Sequence, residues 1–366
     1  MRARGESSAV TIPLAAWAAT VAAVAGLAWA FGYDPFHGST WSRYDSVHYE
    51  EVARGGYDLF HCAPGVWKPG AWCGDSGWFP GYPWVVGAVH ATGLPLRGSA
   101  VAVSWFFAAA TLVLLWKTFF RRRPELAALA ALLYAAWAPG QIYDYSIFPL
   151  SMLAFFTVAY LWLLPRGHYV GAGVAGAAAV LCYPLGALLI PVSAAWMLIS
   201  RRTAVTTVLA LAALGVLFLD QALETGHWDA YWLVQKNYGH HLLNPIATTR
   251  DSLRPLFHWS NVELVHVGPA LQTALVTCAV VAVAVEAARR RRELERPDLL
   301  LLLWAFVTWI VPLSQSYLSL QRSQAALLPL AVLLRRLPRP LVLVFAGIAV
   351  GVGIVMEKLF LEGKIV

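Results

Sequence analysis

Charge is scarce in this sequence. Asp, Glu, Lys and Arg make up 13% of its 366 residues, against roughly 25% in an average soluble domain. That scarcity excludes a large water-facing surface. Period-2 alternation of apolar and polar residues is also missing, which excludes a membrane β-barrel. What fills the space is apolar: 59% of residues are hydrophobic and mean hydropathy is +0.60. The apolar residues fall in continuous runs near the roughly 20 residues that a helical membrane span needs. The chain reads as an all-α, polytopic membrane protein. Internal repeats, low-complexity linkers and a compositionally distinct soluble segment are absent, so residues 1–366 form a single membrane domain.

Cysteine is nearly absent too, with four in the chain. Cys182 and Cys278 fall inside apolar runs and read as buried, inert thiols. Cys62 and Cys73 share one polar segment, where a disulfide is expected if that segment faces an oxidising compartment.

The formal charge of +7 invites a nucleic-acid partner, but the arginines sit in short clusters between apolar runs, which marks membrane topology and not a DNA-binding face. Arg2 and Arg4, Arg121 to Arg123, Arg166, Arg201 and Arg202, Arg289 to Arg292, and Arg335, Arg336 and Arg339 all belong on the cytoplasmic side. The N-terminus resembles a signal peptide, with a small-residue site at Ala28-Trp29-Ala30. Its apolar core, about Ala9 to Phe31, exceeds the 7–15 residues of a cleaved signal and reads as an uncleaved first span. Holding every cluster on one side gives about eleven spans, near residues 9–31, 99–120, 125–142, 147–164, 169–182, 183–200, 203–222, 265–287, 299–316, 321–334 and 340–356. The apolar run from Phe79 to Leu96 would break that parity, so it is expected to lie at the outer face. Two large loops then face outward, 32–98 and 224–264.

The first of these loops concentrates the chemistry. It holds RYDSVHYEEVARGGY, from Arg43 to Tyr57, and WFPGYP, from Trp78 to Pro83. Asp45 has two roles open to it: helix N-cap before Ser46, or a carboxylate that accepts a proton. His48 lies three residues on and shares its helical face. Two such residues are too few for a metal site. Glu50 and Glu51 are expected on the solvated side of the same short helix, which Gly56 should end. Trp78, Phe79 and Tyr82 either stack on a sugar or anchor at the membrane interface. In the second loop the aromatics of GHWDAYWLVQKNYGHH read as an interfacial belt.

These segments resemble the GPI mannosyltransferase 2 (PIG-V) family of the GT-C class of membrane glycosyltransferases. The matching residues are Tyr44-Asp45, His48-Tyr49, Val52-Ala53, Gly56-Tyr57 and Trp78-Phe79-Pro80-Gly81-Tyr82-Pro83. Weaker echoes are Tyr145-Ser146, with Ile147 where the family has Glu; Tyr183-Pro184-Leu185-Gly186, with Tyr183 in place of Arg; and Arg322, followed by Ser323 where Tyr is usual. The resemblance implies a GT-C fold and inverting transfer of a mannosyl residue from a polyprenyl-phosphate donor to an acceptor hydroxyl. It places the reaction at the extracytoplasmic side of the plasma membrane, without nucleotide or metal.

A hydroxyl acceptor is a weak nucleophile and needs a base, for which Asp45 is the candidate. The leaving lipid phosphate needs fixed cations or hydrogen-bond donors. Arg322 is the first choice, because Arg matches phosphate oxygens bidentately. Arg43, Arg250 and Arg254 come second, and His48, Tyr49, Trp78, Phe79, Tyr82 and Tyr145 complete the expected substrate contacts. The expected partners are the lipid-linked donor, an unidentified acceptor and membrane lipids. Rival functions are a transporter or flippase for a lipid-linked sugar, transfer of another polyprenyl-phosphate-linked sugar, and a non-catalytic membrane subunit.

Overall fold

The computed structural model describes residues 2–120, 125–239, 241–258, 263–315 and 319–365, with the side chains of 2–9 left aside. The cluster from Arg121 to Arg123 and the side chains of Arg2 and Arg4, which the topology reading uses, lie outside the described residues.

The chain begins with α1 (Arg2–Ala30), a single helix that runs through Pro13. The segment between α1 and the next long helix carries α2 (Ser46–Gly55), a hairpin of β1 (Leu59–His61) and β2 (Trp72–Gly74), and α3 (Gly81–His90). A run of apolar helices follows: α4 (Leu96–Thr118), α5 (Leu126–Ala136), α6 (Ile142–Tyr145), α7 (Leu150–Leu163), α8 (Tyr169–Cys182), α9 (Leu189–Trp196) and α10 (Ala204–Thr225). The second long connecting segment holds α11 (Ala230–Gln235) and α12 (Pro245–Leu253). The chain ends with α13 (Leu264–Arg289), α14 (Arg296–Leu313), α15 (Leu320–Ala325), α16 (Leu330–Leu334) and α17 (Arg339–Leu361). Among the described residues the only sheet is the two-stranded hairpin.

Among the described residues six helical stretches are long and apolar enough to cross a membrane: Val10–Ala30, Leu96–Thr118, Arg201–Thr225, Leu264–Arg289, Arg296–Leu313 and Arg339–Leu361. They coincide with six of the expected spans. The runs at 125–142, 147–164, 169–182 and 183–200 form shorter apolar helices, and the run at 321–334 divides into α15 and α16. The ten residues of α3 rise about 15 Å at 1.5 Å each, half the roughly 30 Å of hydrocarbon in a bilayer.

The helices pack in two groups. α4 lies between α1 and α7, and α8 lies between α7 and α10; α17 packs against α5 and α13. The helices of the first group approach closely because α8 is lined with small residues: a Cβ on Gly173 would come within 2.5 Å of Leu209, and one on Gly176 within 3.2 Å of Tyr160. Cys182 is buried in this packing, whereas Cys278 sits on the outward face of α13 and is exposed, contrary to expectation. An apolar run fixes depth in the membrane; which face of the helix a residue occupies decides burial.

The hairpin is closed by a disulfide between Cys62 and Cys73. Gly74, at φ +128°, ends β2 where a Cβ would lie 2.0 Å from the Asp58 carbonyl oxygen, so only glycine lets the two strands meet. Mass spectrometry of non-reduced peptides should recover Cys62 and Cys73 in one linked species, and reduction should cost at most roughly 3 kcal/mol of stability by chain entropy. Both thiols free in the native protein would contradict this. Reporter fusions should place Arg292 in the cytoplasm and Lys364 outside; a cytoplasmic signal after Lys364 would break the topology.

Candidate functional site

The chain enters α2 through Tyr44, at φ +49°, and then Asp45. Asp45 occupies the N-cap position, yet its side chain makes no capping hydrogen bond. Its Oδ2 accepts instead from Nη1 of Arg322, 277 residues away on α15. Arg322 also donates through Nη2 to Ser319 Oγ, and its guanidinium lies 5.4 Å from the centre of the Phe148 ring. The Arg322 side chain is 5% exposed and that of Asp45 21%. Arg322 Nε is buried with no partner among the described residues.

A guanidinium taken this far out of water requires a counter-charge, since an isolated buried ion is prohibitively costly. Backbone strain sits on both sides of the pair. Tyr44 and Ser319, at φ +49° and +61°, are the only described non-glycine residues with positive φ. Each such conformation costs on the order of 1–3 kcal/mol and persists only where the surroundings enforce it.

Asp45 and Arg322 line a cavity of about 820 Å³, within the roughly 300–1,000 Å³ of small-molecule sites. Seven tyrosines and tryptophans share its wall: Tyr44, Tyr49, Trp78, Tyr183, Tyr231, Trp232 and Tyr238. Gln235, Lys236, Gln315 and Ser323 add polar groups. Burial pushes the Tyr49 phenol well above its usual range and raises that of Tyr238. Tyr231 is pushed up to about 12, again mainly by burial. These phenols therefore remain neutral hydroxyl donors at physiological pH.

The segment between α1 and α4 is stitched to the end of α10 and to the segment that follows it. Gln221 Nε2 donates to the Ser76 carbonyl at 2.7 Å, Gln235 Nε2 to that of Gly77 at 2.9 Å, and Asn237 Nδ2 to that of Trp72 at 2.6 Å. The Glu224 carboxylate accepts from the Tyr57 backbone N–H. Aromatics of the second segment, expected as an interfacial belt, thereby form one side of the cavity.

The other expected site residues divide sharply. Tyr49 and Trp78 line the cavity. His48 does not, but its ring stacks on the Trp78 indole at 3.5 Å and 17°, and its Nδ1 pairs with Asp75 Oδ1 at 2.5 Å. Phe79 packs edge-on against Tyr231, 5.5 Å between ring centres, behind the wall. Tyr82 is buried, its hydroxyl bonded at 2.9 Å to the Ala100 carbonyl and Ser104 Oγ; it secures α3 to α4 and cannot stack on a sugar. Tyr145 is buried away from the cavity, its carbonyl accepting from Trp105 Nε1 at 2.8 Å.

Arg43 spends its donors on the carbonyls of Ser39, Ser42 and Leu361, at 2.6, 2.9 and 3.2 Å. It ties the loop to the end of α17. Arg250 pairs with its neighbour Asp251 at 3.1 Å, and neither it nor Arg254 reaches the cavity wall. Glu51 pairs with Arg54 in solvent, but Glu50 departs from expectation. It is buried, 2% exposed, with Arg97 Nε at 2.9 Å and Ser42 Oγ at 2.6 Å on its two oxygens. Asp75 and Lys236 are the functional candidates that the sequence did not single out. Each lies outside a recognisable motif and is brought to the site by a segment whose path the sequence leaves open.

Among the described residues no three His, Cys, Asp or Glu side chains group as a metal site. No model of a known protein family matches the chain, and no curated protein matches it.

Proposed function

We propose that the chain is an inverting membrane glycosyltransferase of GT-C type. It moves a mannosyl residue from a polyprenyl-phosphate donor to an acceptor hydroxyl at the extracytoplasmic face of the plasma membrane, on a domain that crosses about eleven times. One observation carries the reading: a carboxylate and a guanidinium from distant parts of the chain, Asp45 and Arg322, meet in the wall of a large aromatic cavity. The two loop motifs that resemble the PIG-V family support it, since Tyr49, Trp78 and Asp45 from those motifs share the cavity.

The chemistry follows from these groups. The acceptor oxygen forms a bond to the anomeric carbon as the bond from that carbon to the phosphate oxygen breaks on the opposite face. The acceptor proton passes to the Asp45 carboxylate, and the polyprenyl phosphate leaves with its negative charge. Arg322 steadies that charge as it develops, and the tyrosines and tryptophans offer faces and hydroxyls to the sugar. Because the leaving group is already a phosphate anion, the reaction needs no nucleotide.

A second reading, translocation of a lipid-linked sugar, is favoured by one residue. Glu357 of α17 is fully buried, and both its carboxylate oxygens lack a partner among the described residues. Ionisable groups inside spans mark transport paths by default. A liposome translocation assay run beside transfer from radiolabelled polyprenyl-phosphate mannose separates the two functions.

Asp45→Asn keeps the shape and an acceptor for Arg322 but removes the proton acceptor. Transfer should fall by at least the roughly 10²–10⁴-fold of general-base loss, and thermal stability should drop as well, because the buried Arg322 loses its counter-charge; turnover per folded molecule within a few-fold of wild type would remove Asp45 from the mechanism.

Arg322→Ala should lower kcat/KM for the donor about 10- to 150-fold, the span of about 1.5–3 kcal/mol for a hydrogen bond to a charged group. Arg322→Lys should recover only part of this, because an ammonium lacks the planar fork. Unchanged kinetics at limiting donor would leave Arg322 as a structural counter-ion.

A further inference from the structure

The cavity wall contains a positive charge that nothing matches. Asp45 and Arg322 neutralise one another. Lys236, in the short turn Lys236–Tyr238 after α11, lines the same cavity and forms no ion pair with any described carboxylate. Its backbone is nevertheless held. Gln235 before it donates to the Gly77 carbonyl at 2.9 Å and Asn237 after it to that of Trp72 at 2.6 Å. Two residues on, Tyr238 packs edge-on against Trp67 and Trp78, at 5.6 and 6.4 Å. A segment pinned on both sides of a lysine that is itself left without a counter-ion is built to present that ammonium to something else.

We infer that Lys236 is a second ligand for the phosphate of the lipid substrate, supplied by the second outer segment while Arg322 acts from α15. The inference rests on the glycosyltransferase reading for the identity of the lipid, a polyprenyl phosphate. The charge pattern fits such a group. One unmatched cation beside a neutral ion pair favours an anionic ligand, such as the phosphate group of a lipid-phosphate sugar. An ammonium on a flexible stem binds phosphate as a point charge and needs no fixed approach angle. Lys236 is exposed, so it can meet the headgroup at the mouth before the buried guanidinium does, and its contribution is screened by salt.

The test uses the full-length protein in phosphatidylcholine nanodiscs, titrated with farnesyl phosphate and, separately, with phosphatidylglycerol. Tryptophan fluorescence reports binding, because Trp78 and Trp232 line the cavity. Lys236→Gln should weaken farnesyl phosphate binding about 10-fold at low salt, the scale of one charge-assisted contact, and the gap should narrow as salt rises. Lys236→Arg should stay within a few-fold of wild type. Unchanged affinity in Lys236→Gln, or no binding by the wild type, overturns the inference. An equal Lys236-dependent response to phosphatidylglycerol also overturns it, since the lysine would then read a bulk headgroup. Lys236-dependent binding in a protein that transfers no sugar would sustain the inference while sinking the transferase reading. Transfer with Lys236-independent binding would do the reverse.

Discussion

Burying the Arg322 charge is the constraint around which the rest is arranged. A guanidinium with so little access to water must find its counter-charge within hydrogen-bond reach, and the one that it finds belongs to Asp45. To bring them together the segment before α2 meets α15, Tyr44 and Ser319 take up strained backbone, and the end of α17 joins the contact. There Arg43 and Tyr44 bind the carbonyls of Leu361 and Gly363. A buried pair of this kind is weak evidence for stability, because desolvation offsets much of the attraction. Its cost and its strain make better sense as the price of a prepared site.

The aromatic wall is a second consequence of the same clasp. Trp78 comes from the segment before α4 and Tyr231, Trp232 and Tyr238 from the segment after α10, so the wall is built from both. The joint is made of side-chain amides reaching backbone carbonyls, at Gln221, Gln235 and Asn237. Within the first segment Asp75, just after the disulfide hairpin, pairs with the His48 ring, which lies flat against Trp78.

Much of the architecture was legible in the sequence, for a physical reason. Apolar runs of membrane length and arginine clusters are strong, local signals, and six of the expected spans appear as long apolar helices. The disulfide was legible from two cysteines sharing one polar segment. Asp45 and Arg322 were each singled out by motif and chemistry, but not their meeting, which depends on packing across 277 residues. Long-range choices were illegible for the same reason. Glu50 looked solvated until Arg97 and Ser42 covered it; Tyr82 looked available until α4 took its hydroxyl. Lys236 resembled any loop lysine, because its significance lies in what fails to neutralise it.

The span of sequence between Asp45 and Arg322 also has a meaning in time. Ribosomes add about 5–20 residues per second, so the 277 residues that separate the pair take roughly 14–55 s to synthesise. Throughout that interval the nascent first loop has already been made and Asp45 has no guanidinium to hold. The hairpin, whose cysteines lie only 11 residues apart, can close long before. The disulfide hairpin can therefore form before the ion pair, and α15, which carries Arg322, is the segment whose synthesis lets the Asp45 side of the cavity wall be completed.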